Sequence, residues 1–125
     1  MKLSTTPLLL LILTPLASAQ WSTDPAVNLA VADASGDQVQ PKVAPTLDGG
    51  CYISWFDSIG NGFDVRVQKL DVNGNELWAH GGVLVFDRNL SWTMDYGLDV
   101  DAAGNALLAF RDDNGSTTQI VASKA

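Results

Sequence analysis

Catalysis needs acids, bases, nucleophiles or metal ligands within reach of one another, and this chain is sparing with them. It has one cysteine, Cys51, and one histidine, His80. Cys51 lies in "GGCYISW", an alternating apolar stretch, and reads as a small buried hydrophobe. His80 sits in a glycine-flanked loop, so no thiol–imidazole pair presents itself. A Cys/His metal site lacks ligands. Oxygen ligands are better supplied: Asp71, Asn73 and Asn75 in "DVNGN" have the spacing of a calcium loop. Such a loop wants more carboxylates, and a Gly at its sixth position, where this chain has Glu76. Asn73-Gly74 between two apolar-patterned segments is the stronger signal, a type I′ hairpin turn with Asp71 bonding its backbone. The expectation is a turn, with no metal and no cofactor.

Carboxylate chemistry is the remaining enzymatic option. A glycosidase-like site would draw its acid and nucleophile from Asp57, Asp95, Asp99, Asp101 or Asp112. Asp57 and Asp112 prove to be equivalent positions of an internal repeat, which favours a structural role at a turn. No residue is assigned to catalysis, and the chain reads as a non-enzyme. The segment "NLSWTMDYG" holds two aromatics, Trp92 and Tyr96, in a polar loop. They are the candidate ligand-binding residues, for a glycan or a protein, since loops carried on a rigid scaffold often make contacts.

The N-terminus bears on compartment. Lys2 precedes an apolar run of ten residues, Pro7 to Leu16, and "ASA" at Ala17 to Ala19 offers small residues at a cleavage site. This pattern predicts a secretory signal peptide over residues 1–19, too short to span a bilayer, and a mature chain starting at Gln20. The expected location is extracellular or cell-surface, without membrane insertion after cleavage. The full chain carries 7 basic and 14 acidic side chains. Losing Lys2 with the leader leaves 6 against 14, a net charge of −8. So acidic a surface cannot displace counterions from phosphates, which excludes nucleic acid as a partner. Two Asn-x-Ser sequons, at Asn89 and Asn114, are expected to be unused.

These residues must be positioned by strands. "DGGCYISWFDSIGNGFDVRVQKL" (Asp48 to Leu70) lies without a gap on "AGNALLAFRDDNGSTTQIVASKA" (Ala103 to Ala125) at an offset of 55. Gly49 falls on Gly104, Asp57 on Asp112, Gly60 on Gly115 and Trp55 on Phe110. Cys51 falls on Ala106, so that position asks for a small apolar side chain. "WSTDPAVNLAVA" from Trp21 resembles "WAHGGVLVFD" from Trp78, with a loop two residues longer. Alternation predicts extended segments at 41–47, 51–57, 63–70 and 76–86, the last interrupted at Gly81-Gly82, with others near 27–32 and 119–124. Outside the leader there is no 3.6-residue apolar period. The expected fold is all-β.

The repeat, with Asp71, Gly74 and Trp78 as Asp-x-x-Gly-x-x-x-Trp and "DGG-x-Y-x-x-W-x-D" from Asp48 to Asp57, resembles a β-propeller blade. It is similar to repeats of secreted bacterial β-propeller proteins and, more distantly, to quinoprotein and sialidase propellers. This chain is one residue short of the quinoprotein spacing and lacks the Ser and Thr of the sialidase Asp box, so no catalytic residue carries over. The resemblance implies four-stranded antiparallel blades: a leading strand at 21–35, a blade at 36–90 and an incomplete blade at 91–125, with Trp78 and Trp55 packed between blades. It further implies a non-catalytic binding or structural module; the alternatives are a carbohydrate-binding, lectin-like oligomer and a fragment of a glycosidase-like propeller. Propellers close with about 4–8 blades. The expectation is therefore a piece of a longer ring or a homo-oligomer.

Overall fold

The computed structural model describes residues 21–22, 24–58, 62–89, 92–113 and 117–125. The leader over residues 1–19, cleavage ahead of Gln20, the Gly60–Gly115 match and the Asn114 sequon fall outside them. Among the described residues seven strands follow one another: β1 (Gln38–Pro45), β2 (Cys51–Asp57), β3 (Asp64–Leu70), β4 (Val83–Phe86), β5 (Gly97–Val100), β6 (Ala106–Asp113) and β7 (Thr118–Lys124). Among the described residues there is no helix. The strands form two antiparallel sheets, β1-β2-β3-β4 and β5-β6-β7, each a meander and neither closed. The fold is all-β.

The two sheets share one register. Shifting the pair Val43–Ile53 of β1 and β2 by 55 positions gives Leu98–Leu108, a pair of β5 and β6. Shifting Tyr52–Lys69 of β2 and β3 gives Leu107–Lys124 of β6 and β7. Register is fixed wherever one face is buried, because a slip of one residue turns every side chain to the other face. Identical registers therefore mean that the same pattern of inward and outward positions recurs.

The core lies between the sheets. Tyr52, Phe56, Val65 and Val67 face Ala106, Leu108 and Phe110 across it, with Tyr96 closing one side. The Phe56 and Tyr96 rings stand 4.7 Å apart, and those of Phe86 and Phe110 5.3 Å, both tilted. Three hydroxyls caught in this interface find partners, as buried polar groups usually do. Ser54 Oγ and the Tyr96 hydroxyl lie 2.8 Å apart, and that hydroxyl also donates to the Gln40 carbonyl at 3.1 Å. The Tyr52 hydroxyl donates to the Gly104 carbonyl at 2.8 Å, joining the sheets. Trp78 packs on Tyr52, ring centroids 5.8 Å apart, at the edge of this core.

Trp55 is buried, on the side of its sheet away from β6. It lines a cleft of about 260 Å³ with Leu29, Ala30, Val31, Ala32, Gln38, Pro41 and Ile53. Adjacent positions on a strand point to opposite faces, so Phe56, rather than Trp55, meets the second sheet. The segment near Val27 to Ala32 forms no strand, and among the described residues no strand edge pairs with it. The strand expected over 76–86 shrinks to β4, preceded by a lone Leu70–Glu76 bridge. Between them Gln68, wholly buried, holds the loop: its amide donates to the Ala79 carbonyl at 3.0 Å, and its oxygen accepts from the Trp78 amide at 3.2 Å. At Gly82 (φ 66°) the backbone passes so close to β3 that a Cβ would lie 2.4 Å from the Val67 carbonyl oxygen. β1 starts earlier than expected, at Gln38. A bulge after Val39 carries Gln40 at φ 53°, and this is what aims the Gln40 carbonyl at Tyr96.

The "DVNGN" turn is also built differently. Asp71 Oδ1 accepts from the amides of Asn73 and Asn75, each at 2.8 Å, and Gly74 donates to the Asp71 carbonyl at 3.0 Å. Gly74 alone takes a left-handed φ, 79°. This is a type I turn closed by a glycine bulge rather than type I′, because the carboxylate fixes Asn73 in the ordinary right-handed region. "DAAGN" repeats it bond for bond: Asp101 Oδ1 accepts from the Ala103 and Asn105 amides at 2.9 Å, and Gly104 has φ 84°. "TLDGG" at 46–50 has the same backbone pairing. By the antiparallel order these three tight turns lie at one end of the sheets, and the ends of β2, β4 and β6 lie at the other.

Candidate functional site

The loop end is where side chains are free to differ from one sheet to the next. β2 and β6 both reach it with a buried aspartate, Asp57 and Asp112. Asp57 pairs with Arg66 of β3, Oδ2 to Nε 3.2 Å. The position equivalent to Arg66 is Val121, so Asp112 lacks that neighbour. The cation it faces is Arg88, which follows β4 and turns inward between the sheets, 1% exposed.

Arg88 is the least expected residue of the site. Its guanidinium lies over the Phe56 ring, 4.4 Å from the centroid. It donates to the Phe63 carbonyl at 3.1 Å and the Trp92 carbonyl at 3.5 Å, while its own amide donates to Asp64 Oδ1 at 3.1 Å. Burial pulls its pKa below the usual arginine value, and the charges of Asp112 and Asp64 oppose that pull. Burial likewise raises the Asp64 carboxyl. A guanidinium enclosed this way ties both sheets to the 87–96 loop, because removing it would leave Asp112 buried without a cation. Nothing in "FDRNL" distinguishes Arg88 from a solvated loop arginine.

The loop held by Arg88 carries the two aromatics singled out from the sequence, and the structure separates them. Tyr96 is 7% exposed, bonded to Ser54 and Gln40, and burial pushes its hydroxyl pKa up to about 12. It is a core residue. Trp92 is 43% exposed, and one of its faces is backed by the Arg111 guanidinium, 5.0 Å from the ring centroid. Arg111 is itself fixed by Thr118 Oγ1 at 2.9 Å and by the Met94 sulfur at 3.8 Å. The site therefore offers one exposed indole on a positioned cation. Nearby, Asp95 pairs with Lys42, which holds its carboxyl below the usual range.

The other sequence candidates serve the scaffold. Asp71 accepts bonds from three donors of its own turn, the third being Asn75 Nδ2 at 2.9 Å to Oδ2. These bonds, that from Asn75 first, hold its carboxyl below the ordinary value. Asn75 thus turns a donor toward Asp71, the opposite of what a cation would ask. Asp101 does the same with Asn105 and also pairs with Lys124 Nζ at 2.6 Å, at the far end of the sheets from Asp57 and Asp112. Asp99 is exposed on β5. Among the described residues no cluster of three or more His, Cys, Asp or Glu side chains is arranged to hold a metal. Cys51 is half-buried on the face of its sheet that turns away from β6, and burial raises its thiol pKa. His80, set aside on sequence grounds, clasps two carboxylates: Nε2 to Asp33 at 2.9 Å and Nδ1 to Glu76 at 3.0 Å. That contact crosses 47 residues of chain, and spacing could not have revealed it.

Compared with known proteins, the chain matches no family model, no curated protein and no solved structure at a significant level.

Proposed function

We propose that this chain is a segment of an exported β-propeller, a non-catalytic module whose loop end serves as a binding surface. One observation carries the reading: two meander sheets with identical register 55 residues apart, stacked so that the Tyr52–Ser54–Phe56 face of one meets the Ala106–Leu108–Phe110 face of the next. Those two faces are different faces of the repeat, since Ala106 is equivalent to Cys51 and not to Tyr52. Stacking unlike faces can be continued indefinitely, which is how successive blades follow one another around a ring. The carboxylates favour a non-catalytic reading: Asp57 lies buried in an ion pair with Arg66, and Asp71 and Asp101 staple turns. Adding tandem copies of residues 36–90 tests the architecture. Stacked blades gain stability with each added copy through nearest-neighbour interfaces; stability independent of copy number would refute the reading.

A carbohydrate-binding role is the second reading, favoured by the exposed Trp92 indole fixed over Arg111. The apolar face of a sugar ring packs on such a surface. Screening the purified protein against a glycan array, with Trp92→Ala beside it, decides between them. Signals lost in the variant establish the sugar site, and signals unchanged by it remove Trp92 from consideration. Turnover of aryl glycosides that vanishes in a folded Asp112→Asn protein would replace both readings with a hydrolase.

A further inference from the structure

Among the described residues, β7 and the segment Asn28–Val31 lack strand partners, and the 55-residue correspondence defines what each is shaped to meet. Among the described residues β7 has β6 on one side and no strand on the other. In the first sheet the equivalent strand, β3, carries β4 there, through Val65–Phe86, Arg66–Leu84 and Val67–Val83. Moved back by 55 positions, β4 lands on Asn28–Val31, where "NLAV" matches "VLVF". This segment already sits against the first sheet as β4 sits against the second. β4 lays Phe86 on Phe110. Leu29 to Ala32 line the cleft with Ile53 and Trp55, the equivalents of Leu108 and Phe110. Asn28–Val31 thus occupies the place of a fourth strand whose three companions are missing beside it.

We infer that β7 of one copy of this chain takes Asn28–Val31 of a second copy as its fourth strand, joining the copies head to tail. The register follows from the internal one: Val31 opposite Ile120, Leu29 opposite Val121, Asn28 opposite Ala122. The inference rests on the propeller reading, and it continues the sheet-on-sheet interface already present. The outer face of β6 and β7, with Leu107, Ala109 and Ala122, would lie over Cys51 and Ile53 of the second copy. Inside the chain the equivalent Tyr52, Ser54 and Val67 lie over the face of Ala106 and Leu108. Ile120 is 77% exposed, whereas its equivalent Val65 is fully buried, and that contrast marks the missing contact. The hydrogen-bonding Tyr52 and Ser54 have Leu107 and Ala109 as equivalents, so the joint between copies is more apolar than the one within. Such an edge and face are what strand addition between molecules requires.

Cysteine cross-linking in a Cys51→Ala background reads the register, with the full chain expressed with its own leader. Asn28→Cys and Ala122→Cys proteins, mixed and oxidised, should form a disulfide-linked pair, while Asn28→Cys with Thr118→Cys should not. Val67→Cys/Val83→Cys within one chain is the equivalent internal pair, and its closure reports that the β3–β4 pairing itself is sound. Sedimentation supplies the second readout: the parent chain should run as a multimer and Ile120→Asp as a monomer with an unchanged circular dichroism spectrum. A parent chain that stays monomeric at its highest soluble concentration overturns the inference. So does cross-linking that prefers the off-register pair. If the internal pair closes in either case, the propeller reading survives; failure of the internal pair removes both.

Discussion

Tyr96→Phe separates a core residue from a ligand-binding one. The substitution keeps the ring, its 4.7 Å contact with Phe56 and the Lys42 ammonium 5.3 Å from its centroid. It removes only the hydroxyl, which serves Ser54 Oγ at 2.8 Å and the Gln40 carbonyl at 3.1 Å. Ser54 is wholly buried, so its hydroxyl loses its partner with no water to replace it. Leaving a buried polar group unsatisfied costs about 1–3 kcal/mol. At roughly 4–8 °C per kcal/mol for a domain near this size, the melting temperature should fall by roughly 10 °C. Ser54→Ala alone should cost less, because the tyrosine hydroxyl keeps Gln40. The double variant should be less destabilised than the sum of the two, by ~1 kcal/mol, since neither partner is then stranded. The pH profile adds a check. A Tyr96 pKa raised from 10.0 to about 12 contributes stability that is complete below pH 10 and lost as pH rises to about 12. Tyr96→Phe should remove that part of the alkaline loss. Thermal melts of the four proteins, from neutral pH to pH 12, give all these quantities. A Tyr96→Phe protein within ~0.3 kcal/mol of the parent would refute the burial reasoning.

The clasp at His80 should titrate above the ordinary histidine value of 6.5, since the hydrogen bonds it donates to Asp33 first and Glu76 second raise it. Its hold on the segment before β1 is full below that value and fades as pH rises through the folded one; an imidazole shift titration with a midpoint at or below 6.5 would contradict this. Asp101 is held low chiefly by Lys124, so its contribution is complete above 3.8 and is lost as pH falls through the lower folded value. Asp101→Asn should therefore flatten the acid limb of stability against pH, and an unaltered limb counts against the turn staple. Gly104→Ala should cost about 1 kcal/mol, since nothing lies within 4 Å of the new Cβ and only its φ of 84° is strained. Gly82→Ala should cost more than about 3 kcal/mol because its Cβ would strike the Val67 carbonyl; equal losses in denaturant unfolding would disprove the close approach.

The sequence was most legible where alternation and breakers agreed. β2 and β6 appear at the predicted places because "CYISWFD" and "NALLAFRD" alternate between two chemically distinct faces, and the 55-residue offset carried their register as well. The turns were legible as turns, but their type was not: which residue takes a positive φ depends on where the Asp71 carboxylate points. Alternation set Trp55 and Phe56 on opposite faces of β2 without saying which of the two meets β6. Tyr96 and Trp92 lie four positions apart in one polar loop, and only the fold decides that the first is swallowed and the second left out. Arg88 carries no sequence signal at all, since an arginine is drawn inward by the charges that wait there, Asp64 and Asp112, 24 residues away on either side.

The stapled turns have a consequence for how this surface can be altered. In "DVNGN" and "DAAGN" the bonds run between the outer Asp and Asn and the glycine, while Val72, Asn73, Ala102 and Ala103 stay exposed. The carboxylate reaches the main-chain nitrogen of the second of each pair, a group every residue but proline supplies. Fluorophores, affinity handles or a grafted dipeptide placed there would be displayed on a rigid mount at fixed spacing, far from the loops around Trp92. The molecule thus separates a rim where identity hardly matters from a rim where it does, and an observer could watch the second from the first without disturbing it.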